Sequence, residues 1–201
     1  MTIASIVPVS TSSLVGRQPA LQQARALLLD AAVPLLILTG PGGVGKTRLA
    51  LAIMDEVGDD FADGSAFVDL SPLADPDRVL DALARALNLS ADSRQPLLQR
   101  LCEHLHPCQM LIVLDNCEHV LDAAAALAAR LAADCPAVQL VATSRAPLRL
   151  RSEQVLPVLP LAVPAATVCS CEDAGAPDRL TALRQVEAVT LFVHRGRQVR
   201  P

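Results

Sequence analysis

Eight consecutive residues, Gly40 to Thr47, combine four glycines with a lysine and a threonine in the order GPGGVGKT. The run fits the pattern G-x-x-x-x-G-K-[ST] at every position. Its glycines permit backbone conformations that side chains forbid, and they let amide groups approach phosphate oxygens. The amides from Gly43 to Thr47 would form a concave anion site, and a helix beginning near Lys46 would point its positive end at the same oxygens. The sequence therefore predicts a phosphate-binding P-loop.

Two side chains of this P-loop have distinct predicted tasks. Lys46 would reach the β- and γ-phosphates of a nucleoside triphosphate, and the Thr47 hydroxyl would bind Mg²⁺. Lys46 is the only lysine among 17 basic residues, all the others being arginine. A compact ammonium in such a chain indicates a site that requires one. The predicted nucleotide contacts of this stretch are Gly40, Pro41, Gly42, Gly43, Val44, Gly45, Lys46, Thr47 and Arg48.

A second candidate group stands at the end of the apolar run MLIVLD, residues 110–115. Such a run predicts a buried strand, and open parallel sheets bind ligands at the carboxyl ends of their strands. Asp115 could hold Mg²⁺ there, directly or through water, as the Walker B aspartate of P-loop NTPases does. Glu118 could polarise an attacking water; alternatively, it is a first-turn acid favoured by a helix dipole. Asn116 could orient a water.

The run VQLVATSR places Thr143, Ser144 and Arg145 at the end of a further predicted strand. A polar group at this position could sense the γ-phosphate, and Arg145 could bring a positive charge to it. The alternative is that Arg145 is a solvated residue at a strand end. The candidate catalytic residues are therefore Lys46, Asp115, Glu118 and Arg145, and the candidate magnesium ligands are Thr47 and Asp115.

The elements that must position these residues alternate between strands and helices. Buried-strand patterns occur at 35–39, 66–70, 110–115 and 138–144, with a weaker, proline-interrupted one at 155–161. Helical patterns occur at about 19–30, 48–57, 76–87, 95–105, 119–133 and 185–197, whereas 163–180 lacks periodicity and is predicted to be a loop. This alternation predicts an α/β fold, a three-layer sandwich with a five-stranded, mainly parallel sheet flanked by helices.

Composition narrows the classes of function. The 201 residues fit one domain, and a net charge of −4 argues against a basic surface that grips nucleic acid. The chain has no Trp or Tyr, so a base-stacking platform for single strands is not expected. No apolar run reaches the roughly 18 residues that cross a bilayer, and no Lys or Arg precedes Arg17 as a secretion signal would require. We therefore expect a cytoplasmic protein without membrane contact.

The high hydrophobic content, 52% of residues, has two candidate explanations. Central parallel strands are buried on both faces, and an interface with other parts of a larger protein would add apolar surface. The cluster Cys102, His104, His106 and Cys108 carries zinc-ligand side chains, but its spacing matches no common zinc signature. The pattern around it favours the end of an amphipathic helix.

Six motifs in a fixed order point to a family. They are LVGR (14–17), TGPGGVGKTRLA (39–50), FVDLSPLADP (67–76), LIVLDNCEHV (111–120), ATSRAPL (142–148) and VEAVTLFVHR (186–195). The set closely resembles the NTPase domain of STAND-class regulators, the NB-ARC-like ATPases of large bacterial LuxR-type and AfsR-type transcriptional regulators. The resemblance covers nearly the whole chain from Leu14.

The resemblance implies a five-stranded sheet in which the sensor strand lies between the P-loop and Walker B strands. It implies that Val15, Gly16 and Arg17 pack on adenine and ribose, and that Arg145 is the sensor arginine. The three residues after Arg17 are Gln, Pro and Ala, where family members often carry acids. Proteins of this family are slow switches, in which ADP holds a closed form and ATP with an inducer opens it for oligomerisation.

The family comparison also sets the expected domain limits and the alternatives. Residues 1–13 are expected to be a flexible tail and 14–201 a P-loop NTPase core that lacks the helical lid and winged helix. Arg195, Arg197 and Arg200 are expected to form a solvated helix face. The predicted function is an ATP/ADP-binding switch with slow Mg²⁺-dependent hydrolysis, able to self-associate or pair with other regulator domains. The alternatives are a non-catalytic nucleotide-binding interaction fragment and a small P-loop kinase.

Overall fold

A computed structural model describes residues 14–30, 32–89, 95–164 and 176–199 of the chain. Its centre is a sheet of five strands, in the spatial order β2-β3-β4-β1-β5, and every neighbouring pair is parallel. The predicted α/β fold is confirmed, with the sheet entirely rather than mainly parallel. The strands are β1 (Leu35–Thr39), β2 (Ser65–Asp69), β3 (Met110–Asp115), β4 (Val138–Ser144) and β5 (Glu153–Pro157).

Helices cover both faces of this sheet. They are α1 (Gln18–Leu28), α2 (Lys46–Val57), α3 (Val79–Ala86), α4 (Leu97–Leu105), α5 (Leu121–Asp134), α6 (Ala176–Gln185) and α7 (Glu187–Val199). Apolar residues of α1 and α2 pack with one face of the sheet, and those of α3, α4 and α5 pack with the other. Two apolar cores therefore lie on opposite sides of the strands, and the predicted three-layer arrangement is confirmed.

The central strands supply side chains to both cores because successive residues of a strand point to opposite faces. In β3, Leu111 and Val113 belong to the core under α1 and α2, whereas Ile112 and Leu114 belong to the core under α3, α4 and α5. Burial on both faces explains why β3 is a continuous apolar run in the sequence.

The end of the described chain departs from the prediction in two places. Strand β5 runs from Glu153 to Pro157, so it begins two residues and ends four residues earlier than expected, and it lies at the sheet edge. Only one of its five residues is fully buried, so its sequence lacks the apolar signal of a central strand. Residues 176–180, expected to be loop, begin α6, and a break at Val186 separates α6 from α7. The predicted tail, residues 1–13, lies outside the described residues.

Strand order brings the candidate groups to one edge of the sheet. The sensor strand β4 lies between β1 and β3, as the family resemblance implies. Thr39 at the end of β1 pairs with Ser144 at the end of β4, and Asp69 at the end of β2 pairs with Asp115 at the end of β3. The P-loop, Asp115 and Arg145 therefore emerge at the same carboxyl edge, where open parallel sheets hold their ligands.

Candidate nucleotide-binding site

The P-loop connects the end of β1 to the beginning of α2 through backbone conformations that favour glycine. Gly40, Gly43 and Gly45 have φ angles of +150°, +77° and +99°. At Gly40 space is limiting as well, because a Cβ atom there would lie 2.6 Å from the carbonyl oxygen of Val158. Gly45 immediately precedes the first residue of α2, so the loop ends at a helix N-terminus. This is the geometry in which backbone amides and the helix dipole attract a phosphate.

Lys46 is the first residue of α2, and its side chain turns back toward the loop. Its Nζ donates hydrogen bonds to the carbonyl oxygens of Gly40, at 2.9 Å, and Pro41, at 3.1 Å. The residue is only 8% exposed. The single ammonium of the chain therefore lies inside the curve of the P-loop, where it also fixes the loop's conformation.

Asp115 is the centre of a small hydrogen-bond network. The Thr47 hydroxyl donates to its carboxylate oxygens at 2.9 and 3.0 Å, and the Thr143 hydroxyl donates to Oδ1 at 2.6 Å. Thr143 in turn accepts a hydrogen bond from the amide of Asn116 at 2.8 Å. The three side chains come from α2, β3 and β4, so the network links the helix that follows the P-loop to these two strands.

The role of Thr143 differs from the one predicted. The sequence placed it among groups that could sense a γ-phosphate, but it is 1% exposed and its hydroxyl is occupied by Asp115 and Asn116. Thr143 therefore orients the aspartate. Ser144, at 0% exposure, accepts a hydrogen bond from the amide of Ala146 at the turn that follows β4.

The electrostatics of Asp115 suit a residue that meets a cation. Burial raises the pKa of its carboxyl, the hydrogen bonds from Thr143 and Thr47 lower the pKa, and the charges of Asp69 and Glu118 raise it. The net direction is upward, because removal from water outweighs the donors. A positive ion beside the carboxylate would oppose this penalty.

The side-chain oxygen atoms of Thr47 and Asp115, next to the P-loop, are suitable ligands for Mg²⁺. A threonine hydroxyl and a carboxylate lie within hydrogen-bond distance of each other, and Mg²⁺ prefers oxygen ligands of this kind. Thr47 and Asp115 would hold the ion, Asp115 directly or through water. When bound with a nucleotide, the ion would neutralise negative charge on the β- and γ-phosphates.

Glu118 and Arg145 form an ion pair beside this network. The Nε of Arg145 lies 3.1 Å from Oε1 of Glu118, and their side chains are 65% and 13% exposed. The second carboxylate oxygen of Glu118 is buried without a hydrogen-bond partner among the described residues. The guanidinium also approaches the P-loop, since a Cβ atom on Gly42 would lie 3.6 Å from its Nη2. Both residues are thus close to where the loop would bind phosphate.

Arg17 links the segment before α1 to the P-loop and to the segment after β5. Its guanidinium donates to the carbonyl oxygen of Val44 at 2.8 Å and to that of Leu159 at 2.5 Å. Gly16, just before it, has a φ of +68° and is tightly packed against Glu187 of α7. The predicted contact of Arg17 with a nucleotide stays a prediction, and its observed hydrogen bonds fix the position of the P-loop.

A cavity of about 500 Å³ lies between these segments. Its lining combines P-loop backbone with the segment before α1, the segment after β5 and the inner side of α7. The lining residues are Leu14, Val15, Arg17, Pro41, Gly42, Gly43, Val44, Gly45, Arg48, Pro160, Leu161, Leu191 and Arg195. The predicted contacts Val15, Arg17 and Arg48 line the cavity together with the loop residues 41–45. The other predicted site residues lie outside this lining: Gly16, Gly40, Lys46, Thr47, Asp115, Glu118 and Arg145.

Five lining residues were not among the predicted contacts: Leu14, Pro160, Leu161, Leu191 and Arg195. Arg195 was expected on a solvated face and is indeed exposed, but it borders the cavity. The available signal was the spacing of Glu187, Leu191 and Arg195, which places all three on one side of a helix.

The cysteine and histidine residues near α4 make local hydrogen bonds. Cys108 donates to the carbonyl oxygen of His104 at 3.2 Å, and His106 Nδ1 lies 2.6 Å from the carbonyl oxygen of Asp134. Within the four described ranges, no group of three or more His, Cys, Asp or Glu residues is placed to hold a metal ion. Burial raises the pKa of Cys135 to about 12, so this thiol stays protonated.

The fold and the P-loop, with Thr47 beside a strand-end aspartate, define a P-loop NTPase. A sequence-family profile described as an AAA domain matches residues 32–149, which is more than half of the chain. The chain belongs to this AAA family. The matched range includes β1 to β4, the P-loop, Asp115 and Arg145.

Two relatives of this chain are mycobacterial proteins. A protein of Mycobacterium tuberculosis, provisionally named an HTH-type transcriptional regulator, is 37% identical over 177 residues, covering 88% of this chain and 17% of the relative. An uncharacterized protein of the same species is 33% identical over 189 residues, covering 94% of this chain and 42% of that protein. The chain thus spans less than half the length of these relatives.

Solved structures with the same fold include two archaeal proteins. A STAND protein with a tetratricopeptide repeat sensor from Pyrococcus horikoshii has a TM-score of 0.58 at 14% identity, covering 91% of this chain and 29% of that one. Cdc6p from Pyrobaculum aerophilum has a TM-score of 0.56 at 20% identity, covering 89% and 52%. At these identities the likeness concerns the fold. Over the described residues, no helix is long and apolar enough to cross a membrane.

Proposed function

We propose that this chain is an ATP/ADP-binding switch domain of a signalling ATPase, with slow Mg²⁺-dependent hydrolysis. The observation that carries the proposal is the contact between Thr47 of the P-loop and Asp115 at the end of β3. This contact places a hydroxyl and a carboxylate next to a backbone nest for phosphates, which is the arrangement that Mg·nucleotide binding requires.

Each candidate residue has a proposed task in this site. The amides of the P-loop and Lys46 would hold the β- and γ-phosphates, while Thr47 and Asp115 hold the magnesium ion. Arg145 would carry positive charge to the γ-phosphate, and Glu118 would polarise the attacking water. Val15, Gly16 and Arg17 would border adenine and ribose; in support, Val15 and Arg17 line the cavity between the P-loop and α7, and Gly16 packs against Glu187 of α7.

The ion pair between Glu118 and Arg145 supports slow rather than rapid hydrolysis. Glu118 is held by Arg145 at 3.1 Å and is largely buried. To act as a base for water, the carboxylate would have to leave this partner, and to contact phosphate the arginine would have to leave as well. Both movements cost free energy, which would slow hydrolysis. Slow hydrolysis suits a nucleotide-dependent switch better than a fast enzyme.

The proposal also assigns the domain to a larger regulatory protein. One relative carries the name of an HTH-type transcriptional regulator, and a STAND protein shares the fold. We propose that the domain serves such a regulator, and that it acts on partner domains or on a second copy rather than on nucleic acid directly. The surface exposure of Phe192 and Leu159, at 78% and 68%, is compatible with an apolar interface.

A non-catalytic nucleotide-binding module is the second candidate. The specific observation in its favour is the same Glu118–Arg145 ion pair, because a glutamate held in this way can be purely structural. The two candidates share the nucleotide site and differ in phosphate release.

The first test is a calorimetric titration of the chain with Mg·ATP and Mg·ADP, repeated with Lys46→Ala. We expect wild type to bind both nucleotides and the variant to lose most of the affinity, because it lacks the only ammonium in the P-loop. A nucleotide at 100 times its Kd should also raise the free energy of unfolding by about 2.7 kcal/mol. Circular dichroism would show that both proteins are folded.

The outcomes separate the candidates. A folded wild-type chain that binds neither nucleotide would contradict both. Binding with slow phosphate release in a single-turnover assay would support the switch, whereas binding with no release above the uncatalysed rate would favour the non-catalytic module.

A further inference from the structure

A second cavity, of about 440 Å³, lies between α3 and α4. Its lining comes from one side of α3, from residues that follow α3, and from the beginning of α4, and it shares no residue with the lining of the cavity at the P-loop. Helices α3 and α4 pack on the face of the sheet opposite to α2, the helix that follows the P-loop. We call this second space the α3–α4 cavity.

Charged side chains border the α3–α4 cavity. Arg78, Asp81 and Arg85 follow one another at intervals of three and four residues, so they lie on one side of α3 and the turn before it. Arg100 of α4 adds a third guanidinium. The lining therefore carries three positive charges and one negative charge, an excess of two in a chain whose net charge is −4. A local positive excess at a concave surface attracts anions.

Two of these arginines present their guanidinium groups to solvent. Arg78 and Arg85 are exposed, and among the described residues neither side chain takes part in an ion pair or a hydrogen bond. A guanidinium offers its N–H donors in a planar fork that matches a carboxylate or a phosphate. Because seven helical residues span about 10 Å, the two forks suit acid groups at the two ends of one short molecule.

The floor of the α3–α4 cavity is apolar. Ala84 is 5% exposed, and the half-buried side chains of Leu89 and Leu97 pack against the core under α3, α4 and α5. Cationic groups with apolar surface between them match an organic anion better than an inorganic ion. The cavity volume also falls within the range of small-molecule sites in proteins, roughly 300–1,000 Å³.

We propose that the α3–α4 cavity binds a small organic dianion, with a carboxylate or a phosphate at each end of a short carbon chain. Arg78 and Arg85 hold the two acid groups, and the carbon chain packs on Ala84, Leu89 and Leu97. The ligand is an effector rather than a substrate, because the cavity contains none of the residues assigned to phosphate or magnesium. The inference does not depend on nucleotide binding.

The test uses two matched dianions, adipate and hexanediol bisphosphate, which share a six-carbon chain and differ in the acid group. Each is titrated by calorimetry against the full chain at constant ionic strength, without nucleotide. Hexanoate has one carboxylate and hexanediol has no charge, so they are the ligand controls. We expect at least one dianion to bind with a stoichiometry of one. Hexanoate should bind at least about tenfold more weakly, because it lacks one charge-assisted contact. The tighter dianion identifies the preferred acid group.

Variants locate the binding. Arg78→Gln and Arg85→Gln should each weaken binding of the tighter dianion by about tenfold, because each removes charge-assisted hydrogen bonds. Arg151→Gln is the matched control, since it removes an exposed arginine beside β5, at the opposite sheet edge from β2, against which α3 packs. This control and Lys46→Ala should both bind within about twofold of wild type. Circular dichroism would show that all variants are folded.

Three results would overturn the proposal. The first is a folded wild-type chain that binds neither dianion. The second is equal weakening by Arg151→Gln and the two α3 variants, which would indicate unspecific attraction between charges. The third is loss of binding in Lys46→Ala alone, which would place the anion in the P-loop.

A second measurement needs only the wild-type chain. In methyl NMR spectra recorded during titration with the tighter dianion, the signals of Ala84, Leu89 and Leu97 should shift. The signals of Leu161 and Leu191, at the cavity beside the P-loop, should stay unchanged. Shifts confined to Leu161 and Leu191 would refute the assignment to the α3–α4 cavity.

Discussion

At the scale of single residues, the site depends on how Asp115 is held. Its carboxylate accepts hydrogen bonds from Thr47 and Thr143, which come from the helix and strand on either side. An aspartate that is 6% exposed must be oriented by such donors, because burial disfavours its charge. The sequence predicted Asp115 and Thr47 from their motifs. It could not predict the task of Thr143, because only the register of β3 against β4 brings its hydroxyl to Asp115.

Replacing Thr143 with valine tests this orientation. Valine has nearly the same shape but no hydroxyl, so the variant removes the acceptor of the Asn116 amide and leaves Asp115 Oδ1 with Thr47 as its remaining donor. We expect the free energy of unfolding to fall by about 1–3 kcal/mol. Thr143→Ser retains the hydroxyl and should lose about 1 kcal/mol or less through the missing methyl group. Urea denaturation measures both; equal losses would mean that the hydroxyl is unimportant.

Glu118 is tested by separating binding from hydrolysis. If its carboxylate polarises the attacking water, Glu118→Gln should reduce single-turnover phosphate release by about 100-fold or more, with nucleotide affinity little changed. Asp122→Asn, which removes an exposed acid from the first turn of α5, is the control and should leave release unchanged. Unchanged release in Glu118→Gln would assign the glutamate a purely structural role.

At the scale of elements, the sequence predicts the central strands better than the periphery. The limits predicted for β3 and β4 match those observed, because strands buried on both faces form continuous apolar runs. The edge strand β5 has one buried residue among exposed and half-buried ones and ends at Pro157, so its pattern is weak. Helix α7 was predicted, but the contribution of Leu191 and Arg195 to the cavity was not, since helical periodicity does not tell which side of a helix meets a cavity.

Packing of α7 against the segment before α1 is tested at Gly16. Gly16→Ala should destabilise the fold by at least about 1–2 kcal/mol, because alanine disfavours a φ of +68° and its Cβ would overlap Glu187. In the double variant Gly16→Ala, Glu187→Ala, the overlaps with Glu187 Cδ and Oε1 are removed, whereas the 3.0 Å contact with the Cβ of residue 187 and the backbone strain remain. A thermodynamic cycle over the four proteins should therefore show a favourable coupling energy. Strict additivity would contradict the contact between α7 and Gly16.

At the scale of the whole molecule, the sheet joins two cores into one folding unit. Ile53 of α2 lies in one core and Ile112 of β3 in the other, and both are fully buried. Strands β1, β3 and β4 each contribute to both cores, so loss of packing on one side should weaken the centre of the sheet. We therefore expect a single cooperative unfolding transition.

Paired methyl deletions test this cooperativity. Ile53→Val and Ile112→Val should each cost about 0.5–1.5 kcal/mol, and their effects should add in the double variant because the side chains contact different cores. Far-ultraviolet circular dichroism is the suitable probe, since the chain has no Trp or Tyr for fluorescence. Two separate transitions would show that the cores unfold independently.

The solitary lysine has a practical consequence for chemistry performed on this protein. Apart from the amino terminus, Lys46 carries the only primary amine in the sequence, and that amine lies within the P-loop. An amine-specific acylating reagent or a lysine-specific endoprotease therefore has one internal target, between residues 46 and 47 or on the Lys46 side chain. The extent of modification or cleavage would report directly on how accessible the loop is, without any engineered label.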